Sequence, residues 1–272
     1  MKVALTGASG FVGLHIREKF NNFVVIKRTD TQEQIIEKLQ GIDVVINLAG
    51  APIVKHWSKS YKKLLISSRI DTTRKLVNAI NKSDVKHFIS TSAIGAYPND
   101  QSCDESFKGY ADDFLASLTQ LWEEEANKCK KPTAIIRFGV VLGKGGGALA
   151  QMLPPFKLGL GGVIGNGWMM TSWIDINDLV NIYAHIIENR LTGVFNATSP
   201  NPVTNYEFTK ALGDVLHRPT IFPLPEFVLN ILYGEASCVL TSSKEIYPTA
   251  LKKSGFVFKH KTIIDSLEHL LS

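Results

Sequence analysis

The chain has 272 residues, 44% of them hydrophobic, a formal net charge of +5 and a pI of about 9.0. That length suits one large domain, or a domain with a small lobe. No apolar run is long enough to span a membrane, and the first strand leaves no room for a signal peptide, so we expect a cytoplasmic protein. Three scattered cysteines indicate neither a disulfide framework nor a metal site, and the dispersed lysines form no nucleic-acid stripe, although positive charge suits an anionic ligand.

The first thirteen residues carry the most specific pattern of the sequence. The apolar run Val3-Ala4-Leu5 leads into Thr-Gly-Ala-Ser-Gly-Phe-Val-Gly at 6–13, and a helical pattern follows. Glycines at this spacing permit a tight turn, close approach of a pyrophosphate and close packing of the helix on the strand. Free N–H groups at the helix start would then face the phosphates. The predicted cofactor contacts here are Gly7, Ser9, Gly10, Phe11, Val12 and Gly13.

Strands and helices alternate through the first two thirds of the chain. The apolar spacing predicts helices at 11–20, 32–39, 60–80 and from about 112, and strands at 23–27, 44–48, 88–90 and 134–138. This alternation is typical of an α/β fold, a Rossmann-type doubly wound parallel sheet. Ligands of such sheets bind at the carboxyl ends of the strands, so the strand ends at 47–50, 90–92 and 137–139 are expected to converge. The predicted contacts from them are Leu48, Ala49, Gly50 and Arg137.

The last third changes character. Glycine-rich loops occur at 143–147 and 159–167, Pro154-Pro155 is expected to end a short helix, and one more strand is predicted at 193–197. Helices follow at about 205–216, 226–233, 243–253 and 263–271. We therefore predict a dinucleotide-binding domain at 1–198 and a small, mainly helical C-terminal lobe at 199–272 that covers the crevice and selects the substrate.

Several of these motifs resemble one known superfamily. The segments at 6–13, Asn-Leu-Ala-Gly at 47–50, Ser-Thr-Ser-Ala at 90–93 and Arg-Phe-Gly-Val-Val-Leu-Gly at 137–143 resemble the extended short-chain dehydrogenases/reductases. The longer motifs at 153–162, 172–179 and 196–205 are similar to its atypical, epimerase-like branch, which has a dedicated C-terminal domain. The resemblance covers almost the whole chain and implies a Rossmann fold that binds a dinucleotide.

The end of the second strand bears on the choice of dinucleotide. NAD sites usually place a carboxylate there for the ribose 2′-OH, whereas NADP sites place cations there for the 2′-phosphate. The strand runs into Lys27-Arg28-Thr29, and Arg28 can bind a phosphate with its planar fork, so NADP is favoured. Asp30 is the opposing residue, because a strand ending two residues later would make it a ribose ligand. The segment 31–43 is also too short to hold the usual third strand, which predicts fewer contacts to adenine.

The catalytic residues of the superfamily are only partly present. Its hydride-transfer enzymes commonly use a Tyr-x-x-x-Lys helix and a serine at the end of the preceding strand. Ser92 matches the serine, but Phe114 and Leu118 stand where tyrosine and lysine are expected. Neither of these side chains donates a proton or carries a charge. Tyr97, five residues after Ser92, is the predicted substitute, although a packed tyrosine with a backbone hydrogen bond is the alternative.

Other candidates each have a structural alternative. Tyr110, Glu235 and the run Lys55-His56-Trp57 can line the site or belong to ordinary loops, while Asp175 and Asp178 are expected to cap a helix. Tyr206 and Lys210 form the one Tyr-x-x-x-Lys of the chain, but they lie in the lobe and are interpreted as a surface helix. The loop 139–145 imitates a phosphate loop with a spacing one residue short, which makes ATP an unlikely ligand.

Two function classes remain open on the sequence. The first is an NADP(H)-dependent oxidoreductase or epimerase with a rearranged proton donor, acting on a small carbonyl or hydroxyl substrate. The second is a non-catalytic NADP(H)-binding sensor or interaction protein, favoured by the loss of both tyrosine and lysine. The retained Ser92 and the large covering lobe favour the first class. A monomer and a homodimer are both compatible with the sequence.

Overall fold

The computed structural model describes residues 1–272 and is built around a six-stranded parallel sheet. In chain order its strands are β1 (Val3–Thr6), β2 (Phe23–Val25), β3 (Val44–Asn47), β4 (His87–Ala93), β6 (Thr133–Phe138) and β10 (Gly193–Ala197). Their order across the sheet is β10-β6-β4-β3-β1-β2. Because β2 is an edge strand and leads through one helix directly to β3, the usual third strand is absent, as the short segment 31–43 predicted.

Helices cover both faces of the sheet. They are α1 (Phe11–Lys19), α2 (Gln32–Lys38), α3 (Lys59–Ile80), α4 (Phe114–Asn127), α5 (Gly147–Lys157) and α6 (Ile176–Glu188). Alternate residues of each central strand enter different apolar clusters: Leu5, Ile46 and Ile89 pack toward α1 and α6, whereas Ala4, Val45 and Phe88 pack toward α2 and α3. A sheet buried on both faces accounts for the continuously apolar strand sequences.

Short elements complete the chain between and after the sheet strands. Five short strands are β5 (Ser102–Cys103), β7 (Val140–Gly143), β8 (Met170–Thr171), β9 (Trp173–Asp175) and β11 (Val203–Thr204), with β12 (Glu245–Ile246) near the end. The C-terminal helices are α7 (Asn205–Leu216), α8 (Glu226–Tyr233), α9 (Cys238–Thr241), α10 (Thr249–Lys253) and α11 (Ile263–Leu271). The pairs β12–β5 and β11–β8 join the last quarter of the chain to the preceding part. No helix is both long and apolar enough to cross a membrane.

Three details differ from the sequence-based predictions. The prolines Pro154 and Pro155 lie inside α5 and do not end it, because the next turn is closed by the Leu158 N–H on the Pro154 carbonyl and proline keeps a helical φ. The helix predicted at 243–253 is shorter, since residues 245–246 pair with β5 and only α10 is helical. The helix predicted from about residue 112 begins at Phe114, where the Asp113 side chain accepts a hydrogen bond from the Ala116 N–H.

Candidate functional site

The glycine turn after β1 leaves a helix end open to a ligand. Gly7 has a φ of 65°, and a Cβ there would lie 2.6 Å from the Leu48 carbonyl oxygen. A Cβ on Gly13 would lie 2.3 Å from the Gly7 oxygen, so α1 packs closely on the turn. Helix α1 starts after Gly10 with no side chain capping it and no acidic residue in its first turn. Its first N–H groups are therefore a site for an anion such as a diphosphate.

The second glycine-rich loop packs against the same helix start. A Cβ on Gly143 or Gly146 would collide with the Phe11 ring, at 2.3 and 2.0 Å. These glycines are thus explained by the packing of an aromatic side chain, which agrees with interpreting 139–145 as an imitation of a phosphate loop. Phe11 itself is half-buried and fixes the loop beside the turn.

The end of β2 shows which of its charged residues are free. Lys27 and Arg28 are exposed, whereas Asp30 is 7% exposed. The Asp30 carboxylate accepts hydrogen bonds from the Lys27 N–H at 2.7 Å and the Lys38 ammonium at 2.5 Å. Burial alone would raise the pKa of Asp30, but these two hydrogen bonds hold it below its ordinary value. The negative charge of Asp30 is therefore balanced by Lys38, and the charges that stay unpaired at this strand end are those of Lys27 and Arg28.

A polar network fixes the end of β3. The Thr6 hydroxyl donates to the Asn47 side-chain oxygen at 2.7 Å and accepts from the Leu48 N–H at 3.1 Å. The Asn47 amide donates in turn to the Thr73 hydroxyl at 2.8 Å. The network joins β1, β3 and α3, so the backbone of residues 48–50 is held beside the glycine turn, where the sequence placed cofactor contacts.

Arg69 is a cation of this site that the sequence analysis missed. Its guanidinium lies against Gly50, where a Cβ would be 3.1 Å from Cζ, and it donates to the Ala51 carbonyl at 3.0 Å. It also stacks over the Trp122 ring at 5.3 Å. No carboxylate lies within 4 Å of it, and burial lowers its pKa to about 10, so it stays charged at neutral pH. Position 69 lies inside a helical pattern, and no local sequence signal marks it as a site residue.

Ser92 and Arg137 meet at one buried carboxylate. The Arg137 guanidinium donates to both oxygens of Glu123, at 2.8 and 2.7 Å, and the Ser92 hydroxyl donates to the same carboxylate at 2.5 Å. All three residues are buried, with Arg137 6% exposed. The geometry favours a structural role for Arg137 over the cofactor contact predicted from the sequence. Ser92 is left with lone pairs, since its proton is directed to Glu123.

Two tyrosines border the same buried pair. Tyr97 is fully buried, its hydroxyl donates to the Asn196 side chain at 2.9 Å, and its ring lies 4.9 Å from the Arg137 Cζ. Tyr110 donates to Glu123 at 2.8 Å. Burial and the nearby Glu123 raise the pKa of Tyr110 to about 12, and burial also raises that of Tyr97. Tyr97 is packed as its alternative expected, but the partners of both hydroxyls are side chains and not a backbone carbonyl.

The helix that would carry Tyr-x-x-x-Lys packs instead against the C-terminal part of the chain. Phe114 forms an edge-to-face pair with Trp57 at 5.1 Å, and Leu118 is 4% exposed. The same apolar cluster contains Ala236, and the ion pair Lys62–Glu235 borders it. The positions of the missing phenol and ammonium are thus part of the contact between the body and residues 233–239.

Asp175, Asp178 and Tyr206 were given structural interpretations from the sequence. Asp175 caps α6 as predicted. The prediction for Asp178 is wrong, because Asp178 lies inside α6 and accepts the backbone N–H groups of Lys259 and His260, both at 2.9 Å. Tyr206 is exposed in α7, as the surface interpretation requires. His260 and His269 come near Asp175, but their rings are stacked 16° from parallel, so they do not direct nitrogen lone pairs at one common ion.

Fold and site together define a dinucleotide-binding α/β protein with an added C-terminal domain. Residues 3–198 match the family described as NAD dependent epimerase/dehydratase family, and residues 224–270 match a domain of unknown function, DUF1731. The chain belongs to the NAD dependent epimerase/dehydratase family, in the epimerase-like branch of the extended short-chain dehydrogenases/reductases.

Similar proteins span nearly the same length. The chloroplastic epimerase family protein SDR39U1 homolog of Arabidopsis thaliana is 37% identical, over 100% of this chain and 87% of that protein. Epimerase family protein YfhF of Bacillus subtilis is 32% identical, over 100% and 98%. The crystal structure of human epimerase family protein SDR39U1 with NADPH has a TM-score of 0.92, 30% identity and 99% coverage of both chains.

Proposed function

We propose that this protein binds NADP(H) in the crevice at the carboxyl ends of β1, β2 and β3. The observation that carries the proposal is the ion pair between Asp30 and Lys38. Because the Asp30 carboxylate is bound, the end of β2 offers Lys27 and Arg28 to a 2′-phosphate and offers no free carboxylate to a ribose hydroxyl. The human SDR39U1 structure, which contains NADPH, is similar over 99% of this chain and supports the same choice.

The residues present fit such a cofactor. The uncapped start of α1 would hold the diphosphate, with Gly10 adding no side chain between backbone and ligand. Arg28 would bind the 2′-phosphate, while Leu48, Ala49 and Gly50 would line the groove. The unpaired Arg69 would supply a positive charge beside Gly50.

For the chemistry we propose an oxidoreductase or epimerase that acts on a small carbonyl or hydroxyl compound. A bound nicotinamide supplies or accepts a hydride. The protein must orient the substrate oxygen and exclude water, which the contact of residues 233–239 with α4 would help to do. Ser92 orients an oxygen only as an acceptor in this geometry, since its proton is directed to Glu123.

One observation favours a second candidate, a non-catalytic NADP(H)-binding sensor. The apolar packing of Phe114 and Leu118 occupies the positions of the usual tyrosine and lysine. Under this alternative, cofactor binding would change the contact between the body and the C-terminal part. NADPH oxidation against a panel of carbonyl compounds, with wild type, Ser92→Ala and Tyr97→Phe, separates the candidates. Tight NADPH binding without turnover of any compound supports the sensor.

The cofactor proposal is tested by titrating NADPH and NADH into the protein and following bound-nicotinamide fluorescence. We expect a preference for NADPH, and Arg28→Ala is expected to weaken NADPH binding by about 10- to 100-fold while leaving NADH unchanged, since a hydrogen-bonded charge contributes about 1.5 to 3 kcal/mol. Lys130→Ala, an exposed lysine, is the control. Equal affinities for both nucleotides in the wild type would refute the assignment of Arg28.

Lys38→Met gives an independent check of the same strand end. It removes the cation that binds Asp30 and leaves the carboxylate with the Lys27 N–H but no positive charge. We expect the ratio of NADPH to NADH affinity to fall, because a free carboxylate repels the 2′-phosphate and accepts from a ribose hydroxyl. An unchanged ratio would show that Asp30 does not face the cofactor at all.

A further inference from the structure

Lys244 is a buried cation that the proposed cofactor site does not use. It directly precedes β12 in the C-terminal part of the chain and is 6% exposed. Its ammonium makes one hydrogen bond, to the backbone carbonyl oxygen of Tyr97. No carboxylate lies within 4 Å of it. Two of its three N–H groups are therefore without a partner in the protein.

Lys244 lies where the C-terminal part of the chain meets the loop after β4 and the start of α4. Tyr97 belongs to the loop that follows Ser92, and Asp113, whose charge acts on Lys244 from a distance, caps the start of α4. Phe114, the position of the missing phenol, is the next residue. Cys103, Cys238 and Asp100 also act on the charge of Lys244. Burial lowers the pKa of Lys244, against the opposite effect of these acidic groups.

Burying an ammonium with one neutral acceptor is costly. An unpaired buried charge destabilises a protein by several kcal/mol unless a partner of opposite charge is supplied. Groups left in this state are common at ligand sites, where the bound molecule provides that partner. Two nearby side chains cannot donate a hydrogen bond to a substrate oxygen, since Ser92 directs its proton to Glu123 and Phe114 has no donor. Lys244 has N–H groups to spare for this role.

We propose that Lys244 binds an anionic oxygen of the substrate, a carboxylate or a phosphate group, at the junction of the C-terminal part with the β4–α4 side of the crevice. The proposal rests on the proposed function, since it takes the substrate to lie beside a bound nucleotide. It narrows the substrate class to small carbonyl or hydroxyl compounds that carry a negative charge.

The first experiment compares the thermal unfolding of the ligand-free wild type and Lys244→Met. If the Lys244 ammonium binds a substrate anion, it is an unpaired buried charge in the ligand-free protein. Replacing it with Met removes that charge, and we expect Tm to rise by about 2 to 4 °C. If Lys244 is a structural tie to the Tyr97 carbonyl, the same change lowers Tm. A lowered Tm therefore overturns the proposal. Lys63→Met, an exposed lysine of α3, is the matched control and is expected to leave Tm unchanged.

The second experiment measures binding of three probes to the protein–NADP⁺ complex by calorimetry at constant ionic strength. The probes are pyruvate, dihydroxyacetone phosphate and the neutral hydroxyacetone, so the first two separate a carboxylate from a phosphate. We expect one charged probe to bind at least about 10-fold more tightly than hydroxyacetone, which corresponds to 1.4 kcal/mol. Lys244→Met should lose this preference, and Lys244→Arg should retain part of it.

The outcomes separate this proposal from the cofactor assignment. The same samples are titrated with NADPH, and Lys244→Met is expected to bind it as the wild type does. Intact NADPH binding without a preference for either charged probe, or with the same preference in Lys244→Met, overturns the role of Lys244 alone. If the wild type itself does not bind NADPH, the proposed function is refuted.

Discussion

The burial of His87 makes the stability of the protein depend on pH. It is 4% exposed, its Nε2 hydrogen-bonds the Leu191 carbonyl at 2.9 Å, and its Nδ1 has no partner. A carbonyl accepts, so Nε2 carries the proton of the neutral ring. Burial lowers the pKa of His87, and the positive charge of Arg190 lowers it further. The hydrogen bond to the Leu191 carbonyl has the opposite effect, which is smaller than that of burial.

The lowered pKa sets the sign of the pH dependence. As pH falls below about 6.5, the unfolded chain takes up a proton at His87 before the folded protein does, so His87 reduces stability on acidification. We expect His87→Leu to show a smaller loss of unfolding free energy between pH 7 and pH 5 than the wild type, measured by urea denaturation. His56→Leu, at an exposed position, should keep the wild-type difference. Equal pH differences for His87→Leu and wild type would contradict the burial argument.

Asp30 and Lys244 show what the sequence does not reveal about a residue. Asp30 could be recognised as the residue opposing NADP, but its ion pair with Lys38, eight positions further on at the end of α2, is seen only in the folded chain. Lys244 stands 147 positions from the Tyr97 carbonyl it contacts. Whether a charged side chain is free or bound depends on such contacts of the folded chain, which spacing and composition do not encode.

At the scale of elements, the turn between β1 and α1 offers a test of close packing. Gly7 and Gly41 have nearly the same φ, 65° and 69°, but a Cβ on Gly7 would meet the Leu48 carbonyl at 2.6 Å, while nothing lies within 4 Å at Gly41. Gly41→Ala should cost about 1 to 2 kcal/mol, the left-handed backbone alone. Gly7→Ala should cost clearly more and weaken NADPH binding, measured by denaturation and titration. Equal losses would show that the approach to Leu48 is not needed.

Helix α4 offers a second test, on the lost catalytic motif. Leu118→Lys would restore the usual lysine type, but it places a charge among Trp57, Leu65 and Ile70. We expect a loss of about 3 to 5 kcal/mol, since a buried charge without a partner destabilises strongly. Leu121→Lys on the exposed side of the same helix should change stability by less than about 0.5 kcal/mol. Equal effects at both positions would refute the role of this cluster.

The elements themselves were largely predictable from the sequence. Apolar runs such as 44–47 and the spacing in α3 fix strands and helices because they are buried on known faces, and the glycine turn identifies β1 and α1. The short strands β5 and β12 were not predictable, since two residues each carry no periodicity and pair 140 or more positions apart. Of the candidate site, the sequence predicted that residues 7–13 and 48–50 lie together, and the close approach of Gly7 to the Leu48 carbonyl confirms this, while their contacts to a cofactor stay a prediction. The Glu123–Arg137 pair could not, because its members come from different elements.

At the scale of the whole molecule, the C-terminal part shares the main core of the protein. One cluster of 31 buried residues contains Leu5, Ile16 and Ile182 from the body. It also contains eight residues from beyond position 198: Phe208, Ala211, Leu212, Leu251, Phe258, Ile263, Leu267 and Leu270. The hydroxyl of Ser172 further ties the two parts by donating to the Lys244 carbonyl at 2.8 Å. The boundary at 198/199, predicted from the change to separate helices, lies within this shared packing.

The fragment 1–198 is therefore expected not to fold alone. Burial of the seven leucine, isoleucine and phenylalanine side chains among them contributes roughly 10 to 20 kcal/mol, as much as the whole net stability of a typical domain, about 5 to 15 kcal/mol. We expect the fragment to lack near-UV circular dichroism and NADPH binding, while the full chain unfolds in one transition that NADPH at 100 times its Kd stabilises by about 2.7 kcal/mol. A fragment that unfolds cooperatively and binds NADPH would show that residues 1–198 are an independent domain, and the shared core would then be an interface between two folded units.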